Sequence, residues 1–136
     1  MTARRSTFAT KSLPARADAV APDGSRVRVL LSLPGGSAAH FELPPGATSI
    51  AVAHRNVDEI WYFLRGRGQM WRKQDGREEV VAVEPHVCVT IPAGTHFQFR
   101  ALGDEPLAAV GVTMPPWPAD GDADPVDGTW PASLPA

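Results

Sequence analysis

Punctuation constrains this chain more than any other feature of its sequence. Between Val27 and Met114, short alternating or apolar runs follow one another closely: Val27–Leu33, Ala38–Leu43, Ser49–His54, Glu59–Arg65, Gly68–Lys73, Glu78–Val83, Val87–Ile91, Phe97–Leu102 and Leu107–Met114. Most gaps carry Gly or Pro, as in Pro34-Gly35-Gly36, Pro44-Pro45-Gly46, Gly66-Arg67-Gly68, Gln74-Asp75-Gly76, Pro92-Ala93-Gly94 and Gly103-Asp104-Glu105-Pro106. These residues supply the positive or fixed φ that tight reversals need. No window of this span keeps a capped apolar period of 3.6. The reading is therefore all-β, with many short antiparallel strands closing into a sandwich or barrel.

A chain of 136 residues holds one domain with a real core. The segmentation reads as an N-terminal arm over 1–26, a barrel over 27–114 and a Pro/Asp-rich tail over 115–136. The tail, PPWPADGDADPVDGTWPASLPA, reads as irregular and loosely packed, with Trp117 and Trp130 as the side chains that could pin it to the barrel or to a partner. A formal charge of −2 gives no footprint for nucleic acid. No run is apolar enough to span a membrane and no secretory signal is evident, so a cytoplasmic location is the expectation. The single Cys88 excludes an internal disulfide framework and, within Val87–Ile91, reads as a buried thiol.

Chemistry concentrates in GATSIAVAHRNVDEIWYFLRG, Gly46 to Gly66. His54 closes one alternating run and Glu59 opens the next, across the polar turn Arg55-Asn56-Val57-Asp58. Two strands joined in this way can bring an imidazole and a carboxylate to one face, where they can share a metal, pass a proton or form a plain hydrogen bond. Alternation then carries Val52 and Ile50 inward with His54, and Trp61, Phe63 and Arg65 inward with Glu59. His40 reads as half-exposed and structural, and His86 as a turn residue tolerating positive φ.

The order Gly46, His54, Glu59, Gly66 resembles the first conserved motif of the cupin superfamily, with Val52 standing where the family's first histidine falls. HVCVTIPAGTHFQFRA, His86 to Ala101, resembles the second motif: Pro92 and Gly94 fit, whereas His86, Phe97 and Ala101 occupy the glycine, histidine and asparagine positions. The resemblance implies an antiparallel double-stranded β-helix, or jelly-roll barrel, usually a homodimer, with a pocket in the barrel mouth. In the family the metal ligands are the motif histidines and the glutamate, of which His54 and Glu59 carry over.

Two registers of the Thr95–Arg100 strand lead to different sites. The family register turns Phe97, Phe99 and Ala101 inward, giving an apolar pocket of Val52, Trp61, Phe63, Phe97 and Phe99 around His54 and Glu59. A one-residue slip, absorbed by a bulge near Gly94, would instead bring His96 inward. His54, Glu59 and His96 would then form a two-histidine, one-carboxylate set suited to a divalent metal such as iron, manganese, nickel or zinc. The expected function is a small-molecule-binding cupin acting on an apolar or aromatic ligand, with metal-dependent oxygen chemistry in the slipped register. The alternatives are a metal-free isomerase- or epimerase-like enzyme using His54 and Glu59 for acid–base work, and a non-catalytic ligand-binding or sensor module.

Overall fold

The computed structural model describes residues 6–117 and 122–134; the parts of the expected arm and tail at 1–5, 118–121 and 135–136 lie outside the described residues. Along the chain run β1 (Ala19–Val20), β2 (Arg26–Leu33), β3 (Gly36–Leu43), β4 (Val52–His54), β5 (Asp58–Arg65), β6 (Arg67–Gln74), β7 (Arg77–Val83), β8 (Cys88–Ile91), β9 (His96–Leu102), β10 (Leu107–Met114) and β11 (Ala123–Pro125). They form two sheets, β1-β2-β3-β10-β5-β8 and β11-β4-β9-β6-β7, with every pairing antiparallel. This is the double-stranded β-helix that the strand punctuation and the motif resemblance led us to expect.

The core lies between the sheets and is built by period-2 alternation. In β5, Glu59, Trp61 and Phe63 are buried while Asp58, Ile60, Tyr62 and Leu64 are exposed. From the facing sheet come Met70 of β6 and Phe97, Phe99 and Ala101 of β9. Trp61 organises the centre: it stacks on Phe41 with ring centroids 4.8 Å apart and meets Phe99 edge-on at 5.0 Å. Full burial of such rings contributes roughly 2–3 kcal/mol each, which makes this cluster a main source of stability.

The turns work as their residues predict. Gly66 has φ +80°, and a Cβ there would lie 2.2 Å from the Pro106 carbonyl oxygen, so only glycine can end β5 at this point. His86 takes φ 82° in the turn before β8, its ring Nδ1 lying 2.9 Å from the Tyr62 hydroxyl.

Several local expectations are corrected. Arg65 is exposed, because the β5–β10 register shifts beside it and its side chain turns to Glu105 at 3.9 Å. His40 is buried on the outer face of β3, not half-exposed. Cys88 is exposed, since its run alternates with Val89 and Ile91 inward. The run read as starting at Ser49 forms strand only from Val52.

The tail is tied down over 122–134. β11 pairs with β4, and Gln98 clasps the following segment: its Nε2 donates to the Ser49 and Trp130 carbonyls and its Oε1 accepts from the Thr129 and Trp130 amides. Arg100 lies over the Trp130 ring at 4.2 Å. A polar residue on the outer face of β9 thereby becomes almost fully buried, and composition alone gave no sign of it.

Candidate functional site

β4 ends at His54 and β5 opens at Asp58, so the short turn between them sets the two functional side chains at the same end of the barrel interior. His54 Nε2 lies 3.4 Å from Glu59 Oε2. On its other side, His54 Nδ1 is 3.2 Å from Asp122 Oδ2. Asp122 is fixed in turn by the Asn56 backbone amide at 2.9 Å and the Asn56 side-chain amide at 3.1 Å, both donating to Oδ1. The result is a chain of Asp122 carboxylate, His54 imidazole and Glu59 carboxyl in which Asp122 can hold the ring tautomer with Nδ1 protonated and Nε2 facing Glu59.

Glu59 is nearly fully buried. Its Oε1 accepts from the Trp61 indole N–H at 3.2 Å, but Oε2 has no hydrogen-bond partner, because the His54 contact is too long to be well formed. Burial pushes the Glu59 carboxyl up to about 8, opposed by the Trp61 hydrogen bond and reinforced by the nearby charges of Asp23 and Asp122. At neutral pH Glu59 is therefore mostly the neutral acid. Asp23, fully buried, is also raised by desolvation, against the hydrogen bonds it accepts from the Ser25 hydroxyl and amide.

Ala21, Pro22, Asp23, Phe41, Val52, His54, Glu59, Trp61, Phe97 and Trp117 enclose a cavity of about 10 Å³, the room of a single water molecule. Of the expected pocket residues, Val52, Trp61 and Phe97 border it. Phe63 and Phe99 do not; they are packed into the barrel centre as core. Sequence reasoning missed Asp23 and Asp122. No motif marks either, and the Pro/Asp-rich tail that carries Asp122 reads from composition as loosely packed.

β9 keeps the unslipped register. Phe97 pairs with Val52 and faces inward, stacking near His54 with centroids 6.1 Å apart, while His96 pairs with Ala53 and lines an outer groove with Lys73, Gln74 and Asp75. The set His54, Glu59 and His96 is therefore not brought together. A divalent metal does not fit the residues present. Phe97 occupies the place a third ligand would need, leaving His54 and Glu59 short of a full ligand set, and no group of three or more His, Cys, Asp or Glu among the described residues is placed to hold an ion.

Solved structures resemble this barrel at low sequence identity, which speaks for the fold alone. Oxalate decarboxylase from Bacillus subtilis, solved at pH 4.6, superposes with a TM-score of 0.72 at 17% identity, covering 90% of this chain and 33% of that one. KdgF from Halomonas sp. gives 0.62 at 17% identity, covering 80% and 94%. The Schizosaccharomyces pombe Cnp3 cupin domain gives 0.60 at 14% identity, covering 67% of this chain and 61% of that domain's length. No curated protein matches the sequence. The family model described as "Cupin domain" matches residues 39–113, a span running from β3 to the end of β10 and containing both motif regions, and on that match the chain belongs to the cupin family.

Proposed function

We propose that this chain is a small-molecule-binding cupin in which His54 and Glu59 form a metal-free proton-transfer pair acting on a small, largely apolar or aromatic molecule. The observation that carries this reading is the Asp122–His54–Glu59 chain: one buried carboxyl kept protonated near neutral pH, one imidazole oriented by a second carboxylate, and a Glu59 Oε2 with no partner of its own.

In the mechanism, Glu59 holds a proton on Oε2 and can deliver it to a substrate atom entering beside Trp61 and Phe97. His54, its Nδ1–H directed to Asp122, offers Nε2 to accept a proton from the substrate, and Asp122 stabilises the imidazolium that forms. Trp61 keeps Glu59 pointed into the cavity through the Oε1 hydrogen bond. The aromatic walls exclude water and favour a flat ligand. Because the closed cavity is no larger than a water molecule, substrate entry requires displacement of the cover that Ala21 to Asp23 and Trp117 provide. By its resemblance to cupins the chain is proposed to act as a homodimer.

The test is proton exchange. In deuterated buffer, small carbonyl compounds with acidic C–H bonds should lose their proton signal by NMR when incubated with the wild type and keep it with His54→Gln or Glu59→Gln. Elemental analysis of protein purified without tag or chelator accompanies it. Near-stoichiometric metal that disappears in His54→Gln would overturn the metal-free reading, and exchange that survives both substitutions would overturn the assignment of the pair.

A further inference from the structure

The barrel opens a second time, away from the closed cavity. Between the edge strands β7 and β8 lies a cleft of about 270 Å³ lined by Arg72, Gln74, Arg77, Glu79, Thr90, Pro92 and Thr95. Two of its polar residues, Arg72 and Thr95, come from inward positions. Arg72 stands opposite Phe97 in the β6–β9 ladder, two residues from Met70, and Thr95 precedes Phe97 by two and is buried. An arginine at an inward position of a barrel strand is unusual enough to need a reason, because its charge is costly to desolvate.

Arg72 is only partly satisfied. Nη1 donates to the Thr90 carbonyl at 2.7 Å and Nη2 to Glu79 Oε1 at 2.7 Å. Its Nε–H is buried with no acceptor, and so is the Thr95 hydroxyl. Two desolvated donors without acceptors thus belong to residues of one cleft, where almost all buried polar groups find partners. The charge balance favours an anion: Arg72 and Arg77 both reach Glu79, leaving one positive charge in excess.

We propose that this cleft is a binding site for a small monocarboxylate, held by Arg72 Nε–H and the Thr95 hydroxyl. Two free donors match the two oxygens of one carboxylate. The Glu79 carboxylate disfavours a second negative charge, which argues against phosphate and dicarboxylates, and the cleft has room for an acid the size of benzoate. This site does not depend on His54 or Glu59.

The probe is sodium benzoate, titrated into ¹⁵N-labelled protein with the Arg72 side-chain and Thr95 backbone signals followed by NMR. Saturable shifts are expected in the wild type and in His54→Gln, none with the neutral isostere benzamide, and binding about tenfold weaker in Thr95→Val, the loss of one hydrogen bond to a charged group. Arg72→Gln should abolish the shifts. Thr95→Val keeps the inference testable if Arg72→Gln does not fold. Equal binding of benzamide, unchanged affinity in Thr95→Val, stronger binding of inorganic phosphate, or no saturable shift at all would each overturn the assignment.

Discussion

Asp122 places Oδ2 3.2 Å from Nδ1 of His54, joining residues 68 positions apart in the chain and making the C-terminal tail part of the site. With the Glu59 carboxyl on its other side, His54 lies between two acidic groups, and the contact ties whatever His54 does to the packing of a segment outside the family span.

Stability should fall as pH rises through the range in which Glu59 ionises. The folded-state value of about 8 lies above the ordinary 4.5, so between these values the native state binds more protons than the unfolded state, and stability decreases with pH until it levels above about 8. Asp23 acts in the same direction. Urea unfolding from pH 5 to 9 should show Glu59→Gln gaining on the wild type by about 2–4 kcal/mol over this range, an order-of-magnitude figure from the size of the shift. Parallel curves for the two proteins would refute a raised Glu59.

Gln98→Ala should release the tail. Both Gln98 side-chain atoms are used, by Ser49, Thr129 and Trp130, and the residue is almost fully buried. Truncation strands those backbone groups at a cost of about 2–4 kcal/mol. Hydrogen exchange of the Val126, Thr129, Trp130 and Ser133 amides should accelerate well before that of the barrel strands; uniform acceleration would argue against a separable tail.

Phe97→His should create metal affinity where the wild type offers no third ligand. Phe97 faces inward beside His54, and an imidazole there would join His54 and Glu59 in a two-histidine, one-carboxylate set. Zinc titration followed by calorimetry should give binding to Phe97→His. His96→Ala should leave the wild-type response unchanged, because His96 lies on the outer groove. A zinc response in the wild type that disappears in His96→Ala would place His96, not Phe97, beside His54 and refute the assignment.

Gly111→Ala should destabilise the aromatic core. A Cβ at Gly111 would lie 2.6 Å from the Phe41 ring and 3.0 Å from the Trp61 indole, and these two rings are already stacked on each other. Overpacking of this kind costs about 1–3 kcal/mol. A lowered thermal midpoint with altered tryptophan fluorescence is the expected result; a neutral effect would show that the stack has room to shift.

The sequence alone was enough for the fold class, because period-2 alternation and Gly/Pro turns are local properties of a strand and its ends. It also placed His54 and Glu59 together, since they flank one short turn, and it placed Phe97 and His96 on opposite faces once the family register was taken. The tertiary structure decided what the strands enclose. Aromatic side chains from β3, β5 and β9 fill the barrel, so Phe63 and Phe99 became core rather than pocket wall, and only about 10 Å³ was left beside Glu59. It also decided the partners of His54 and the acidity of Glu59. Asp23 and Asp122 reach the site from distant segments through packing, and the shift of Glu59 comes from desolvation, a property of the assembled interior that no local pattern of residues records.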